Sequence, residues 1–134
     1  MSESHELVVT WTSPDRPGLV HAVTGACAQV DGNLTECQQF TSTDTGNFFI
    51  RLQVESASSR ADLESAVSEL AGKCNATVHV DELGRPVRTL ILASKASHCL
   101  SHLLFNRDAG RLPIDVVQVM ANHPDLADLT AFHK

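Results

Sequence analysis

Phe48-Phe49-Ile50-Arg51-Leu52-Gln53-Val54-Glu55 alternates strictly, with Phe48, Ile50, Leu52 and Val54 on one parity and Phe49, Arg51, Gln53 and Glu55 on the other. A period of two belongs to a strand with one buried face. Thr43-Asp44-Thr45-Gly46, just upstream, has the residues of a hairpin turn. Residues 34–41 are therefore read as the partner strand. Further upstream, Leu7-Val8-Val9-Thr10-Trp11-Thr12 is rich in strand formers and ends in the polar turn Ser13-Pro14-Asp15-Arg16-Pro17-Gly18. Leu19, Val23, Ala26, Cys27 and Val30 then recur at helical spacing, and Gly32 is read as the helix stop. Downstream, Ser59 and Asp62 have the spacing of a capping box. Leu63, Ala66, Val67 and Leu70 form a second apolar helix stripe that should end near Gly72, and Val78 and Val80 mark a fourth strand. The order βαββαβ within residues 1–82 predicts a ferredoxin-like α+β fold, one antiparallel sheet with both helices on one face.

Glu82-Leu83-Gly84-Arg85-Pro86 breaks this pattern, and residues 83–87 are read as a linker. Beyond it, Leu90-Ile91-Leu92-Ala93 is continuously apolar, and residues 114–121 are apolar apart from Asp115 and Gln118. Such runs predict strands buried on both faces, as in parallel sheets. Leu100, Leu103 and Leu104 mark a helix between them that stops near Gly110. Residues 88–122 thus form one βαβ unit, the opening of a doubly wound sheet. Two strands cannot bury their own faces. Residues after Glu82 are therefore expected to aggregate, swap or stay disordered.

Composition narrows the function. Ten Lys and Arg stand against 16 Asp and Glu, for a net charge of −6, without basic clusters. That argues against nucleic-acid binding. No apolar run approaches the roughly 20 residues of a membrane helix. The polar, acidic start Met1-Ser2-Glu3-Ser4-His5-Glu6 is unlike a signal peptide, so a cytoplasmic location is expected. Cys27, Cys37, Cys74 and Cys99 contain no CxxC pair and are read as reduced thiols packed as small core residues. Trp11 and the pair Phe48-Phe49 are also assigned to the core.

Asp15-Arg16-Pro17-Gly18-Leu19, at the first strand-to-helix turn of a βαββαβ unit, resembles the ligand loop of an ACT domain. With Thr35-Glu36-Cys37-Gln38-Gln39-Phe40, Ser94-Lys95-Ala96-Ser97-His98-Cys99-Leu100, Leu112-Pro113-Ile114 and Asn122-His123-Pro124-Asp125-Leu126, the chain resembles the formyltetrahydrofolate deformylase family over nearly its whole length. The resemblance implies an ACT regulatory domain (1–82) and an incomplete N-terminal part of a formyltransferase-like catalytic domain (88–134). It implies hydrolysis of 10-formyltetrahydrofolate to formate and tetrahydrofolate, serving purine synthesis and the one-carbon pool. Folate is then substrate, and no cofactor is called for. It implies a small amino-acid effector and a homo-oligomer formed through the ACT domain. The family's catalytic Asn, His and Asp lie on later strands than any present here, so no catalytic residue is assigned in this chain, which is expected to be inactive alone. A free-standing amino-acid-sensing ACT module is the alternative.

The effector site is assigned to Asp15, Arg16, Pro17, Gly18 and Leu19. Pro17 fixes φ, Gly18 permits close approach, and the helix start aims free N–H groups and the positive end of its dipole at a carboxylate. Asp15 either accepts from an amino group or caps the helix. Asn122 and His123, at the carboxyl end of a parallel strand, either line a substrate pocket or form a plain polar turn. His98 and His102 share a helix face at i, i+4, but without further ligands they are read as exposed histidines, and no metal is assigned.

Overall fold

A computed structural model describes residues 4–133. Met1–Glu3 of the polar amino-terminal segment lie outside them, as does Lys134. The described residues divide into two compact units between Leu83 and Gly84.

The first unit runs β1 (His5–Pro14), α1 (Leu19–Ala28), β2 (Asn33–Ser42), β3 (Asn47–Ser56), α2 (Arg60–Cys74) and β4 (Thr77–Glu82). Its sheet has the order β2-β3-β1-β4 with every neighbouring pair antiparallel. This is the ferredoxin-like α+β fold expected from the order βαββαβ. Phe48, Ile50, Leu52 and Val54 are all buried, opposite Ser13, Trp11, Val9 and Leu7 of β1. Leu19, Val23, Ala26 and Cys27 of α1 close over them, with Leu63, Val67, Ala71 and Cys74 of α2. The indole of Trp11 keeps its polar edge satisfied by donating Nε1–H to the buried Ser13 hydroxyl at 3.0 Å. Ser56, also buried, donates to Val30 O at 2.9 Å and pins the turn between α1 and β2.

Both helix ends differ from the glycine-based reading. α1 stops at Ala28, and the left-handed residue beyond it is Asp31 (φ 54°), not Gly32. Gly32 is required for another reason. A Cβ there would sit 2.7 Å from Cys27 O and 2.8 Å from Val54 Cγ1. α2 runs past Gly72 to Cys74 and ends at Asn75 in the left-handed conformation (φ 52°). Its start is as read. Ser59 Oγ accepts from Asp62 N, and Asp62 Oδ2 accepts from Ser59 N.

The second unit contains β5 (Val87–Ala93), α3 (His98–Asp108), β6 (Ile114–Ala121), a 3-10 turn (Pro124–Leu126) and α4 (Ala127–Phe132). β5 and β6 pair in parallel, the expected βαβ. Ile91, Leu100, Leu104 and Leu126 make a small core of their own. The strands are not buried on both faces. Leu90, Leu92, Val117 and Met120 are exposed, because only one layer of helix is present to cover them. Residues 87–121 take a defined βαβ arrangement with apolar surface left open.

Two core assignments also fail. Cys37 and Cys99 are exposed, and only Cys27 and Cys74 are buried. Phe49 lies on the open sheet face, stacked on Phe40 with ring centroids 6.3 Å apart. Among the described residues no helix is long and apolar enough to cross a membrane.

Candidate functional site

The β1–α1 loop is held from its first residue. Asp15 N donates to Gly46 O at 2.8 Å, tying the loop to the β2–β3 turn. Gly18 then takes φ 89°, where a side chain would be strained, and serves as the N-cap of α1. Its carbonyl accepts the first helical bond, from Ala22 N at 3.0 Å. No side chain caps this helix. The capping role open to Asp15 is therefore not the one it takes, and its carboxylate is exposed. The N–H groups of Leu19, Val20 and His21 come before the first residue that can bond within the helix.

The residues that carry these donors border a hollow of about 580 Å3 lined by Asp15, Arg16, Gly18, Leu19, Val20, His21, Gln39, Thr41 and Phe48. Four of the five loop residues assigned from sequence line it, and Pro17 does not. The sequence reading missed Gln39 and Thr41 of β2 and Phe48 of β3. A bulge hides the first two. Register shifts between Leu34 and Glu36, so Cys37, Gln39 and Thr41 pair with Leu52, Ile50 and Phe48 and share the helix side of the sheet with Leu34. Simple alternation from Leu34 would place them on the opposite face. The hollow offers an acidic carboxylate, an amide, a hydroxyl, exposed helix donors and an apolar floor of Leu19 and Phe48. That set suits a small zwitterion with a short side chain.

Arg16 is less available than its place in the loop implies. Its guanidinium Nη2 donates to Cys74 Sγ, 2.9 Å away at the end of α2.

In the second unit Asn122 and His123 are both exposed at the carboxyl end of β6. His123 is extended (φ −135°, ψ 147°) and precedes Pro124 at the start of the 3-10 turn. It lines a shallow hollow of about 180 Å3 with Val119, Ala121, Pro124, Leu126, Ala127 and Thr130, and Asn122 is not part of that wall. The pair is thus not brought together around one cavity. Nearby, His133 Nδ1 lies 2.5 Å from Asp108 Oδ2, and Arg107 donates Nη2 to His133 O at 2.6 Å. The hydrogen bond with His133, and then that from Arg107, hold the Asp108 carboxyl below the usual carboxylate range. These groups clasp the end of α4 to the end of α3. His98 and His102 are exposed, and among the described residues no cluster of His, Cys, Asp and Glu could hold a metal ion.

Residues 5–81 match the family model of the ACT domain. The chain is 38% identical over 136 residues to a formyltetrahydrofolate deformylase of Corynebacterium sp. (strain P-1), covering 99% of this chain and 48% of that protein. It is 34% identical over 121 residues to the protein of that name from Mycobacterium tuberculosis (strain ATCC 25618 / H37Rv), covering 84% and 38%. The crystal structure of a formyltetrahydrofolate deformylase from Pseudomonas putida KT2440 matches with a TM-score of 0.82 and 29% identity, covering 98% of this chain and 48% of that one. The chain spans less than half the length of these relatives.

Proposed function

The chain belongs to the ACT-domain family, and from that premise we propose that its first unit is the effector-binding part of a formyltetrahydrofolate deformylase. Residues 88–134 then open the formyltransferase-like domain of that enzyme. The reaction is hydrolysis. Water adds to the formyl carbon of 10-formyltetrahydrofolate, the carbon–nitrogen bond breaks, and formate and tetrahydrofolate leave. It feeds purine synthesis and balances the one-carbon pool in the cytoplasm. None of the residues present here is assigned to that step, and the chain alone is inactive. Asn122 and His123 are retained only as rim residues of the folate pocket.

The effector reading is carried by one observation. Four of the five loop residues that the resemblance singles out line one hollow, together with the start of a helix that no side chain caps. A carboxylate fits the helix start and an ammonium fits Asp15. β2, a ten-residue edge strand beside the hollow, offers the homo-oligomer contact. Calorimetry of the chain with each of the twenty amino acids tests this. A small amino acid should give heat, and Asp15→Ala should weaken it about tenfold, the worth of one charge-assisted hydrogen bond. No heat from any of the twenty sinks the reading.

The free-standing sensor is the weaker alternative, because a sensor has no use for the parallel β5–β6 pair. Formate release from 10-formyltetrahydrofolate by this chain would overturn its assignment as inactive.

A further inference from the structure

Arg16 belongs to the effector loop by sequence, yet its guanidinium is bound elsewhere. Nη2 donates to Cys74 Sγ at 2.9 Å, across 58 positions of sequence. Cys74 is a fixed anchor. It is buried, it is the last residue of α2, and the chain turns sharply after it through left-handed Asn75. Ala76 N closes that turn on Ala71 O at 3.0 Å. Cys74 is not part of the wall of the effector hollow. The loop is therefore held at two successive residues, Asp15 by its backbone to Gly46 and Arg16 by its side chain to Cys74. Among the described residues no other side chain of residues 15–19 forms a hydrogen bond to the helix layer.

We propose that Arg16 is not an effector ligand but a positioning residue, a latch that seats the loop on the carboxyl end of α2 through Cys74. An effector carboxylate is then met by the N–H groups at the start of α1, not by this cation. Any shift of the loop on binding is felt at the Cys74 thiol. The last clause rests on the effector reading, while the latch itself does not.

The cysteines supply the test. Cys37 and Cys99 are exposed, Cys74 is covered, and Cys27 is fully buried in the core with its thiol pushed up to about 11 by burial. A timed pulse of iodoacetamide on the whole chain, read cysteine by cysteine by mass spectrometry, should label Cys37 and Cys99 first. Arg16→Ala should speed labelling of Cys74 about tenfold, the equilibrium change expected for one lost hydrogen bond to a charged group. Cys27 should stay unlabelled, and Arg16→Lys should restore part of the protection. If Cys74 is not faster in Arg16→Ala, there is no latch. If Cys27 rises in step with Cys74, the variant has merely loosened the fold, and the latch is again overturned. Cys74→Ala provides the converse. Amide exchange at Asp15 and Ala22, whose N–H groups are bonded to Gly46 O and Gly18 O, should quicken as much as in Arg16→Ala, with no further gain in the double variant. Additive effects would mean that the two side chains do not act as a pair. The amino acid that gives heat in calorimetry should change the Cys74 labelling rate at saturation. An unchanged rate refutes the coupling. If none of the twenty gives heat while Arg16→Ala still exposes Cys74, the effector reading fails and the latch stands.

Discussion

The two units contain similar elements and differ in how many apolar faces those elements have. In the first, strands β1 and β3 are apolar on one side only, and two helices suffice to cover that side. In the second, β5 and β6 are apolar on both sides while helix covers one, so Leu92 remains 75% exposed and Met120 51%. Even Trp11, the largest side chain of the chain, is 1% exposed in the first unit. A strand's pattern thus states how many layers it needs, and the number of layers present decides whether it is satisfied.

The largest effect that could break this contrast lies in the first core. Leu52→Ala should cost about 2–5 kcal/mol, the range for a buried leucine in a closed core. Urea unfolding followed by the fluorescence of the single tryptophan, Trp11, measures it. A cost under about 1 kcal/mol would mean that the core relaxes around the gap and is not close-packed. Gly32→Ala comes next, at about 1–3 kcal/mol by overpacking, since the new methyl meets Cys27 O and the Val54 side chain. Gly72→Ala, inside α2 with no atom near the added carbon, should instead stabilise by roughly 0.5–1 kcal/mol. The two glycines were read alike in sequence as helix ends. Opposite signs in the same unfolding assay would show that contact, not helix termination, distinguishes them.

Much of the first unit was legible because its information is local. The parity of Phe48 to Glu55 named the buried face, and Ser59 with Asp62 named a helix start. What escaped notice was set by partners far away in sequence. Ser56 looks like a surface residue until Val30, 26 positions earlier, is seen to bond it. Phe49 looks like core beside Phe48, yet the pleat turns it outward. The loop of the candidate site was legible, but its wall on β2 was not, because one bulge moves Gln39 and Thr41 to the other face. Arg16 and Cys74 carry no local sign of each other. In the second unit the continuous runs were expected to be buried on both faces, and Leu90, Leu92, Val117 and Met120 lie exposed instead.

The uncovered face gives a smaller test. Leu92→Gln and Met120→Gln change exposed positions, so each should move unfolding by no more than about 0.5 kcal/mol. Each should nevertheless reduce concentration-dependent self-association, read by sedimentation, because contiguous exposed apolar surface drives it. Comparable changes at Phe40 of the first unit, whose open face is otherwise largely polar, should reduce it less. If Phe40→Gln has the larger effect, the contrast between the units is reversed.

The smallest effect is electrostatic and has the same sign in both units. Asp62 is held below the usual carboxylate range by the Ser59 hydroxyl and backbone N–H, and Asp108 by His133 and then Arg107. A group whose folded pKa is depressed adds stability above its unfolded value and loses it as pH falls through the folded one. Both contributions should therefore be present at pH 7 and decline below the ordinary value of 3.8. The structures they hold are different. Asp62 caps a helix that is also packed by Leu63, Val67 and Ala71, whereas Asp108 clasps an end of α4, a helix with no buried residue. Acid should thus release the amides of residues 127–132 before those of α2, as followed by hydrogen exchange between pH 5 and 3. Asp108→Asn should produce the same release at pH 7, and Asp62→Asn should leave α2 folded there. Release of α2 first would mean that the capping box, and not the side chains beneath it, holds that helix in place.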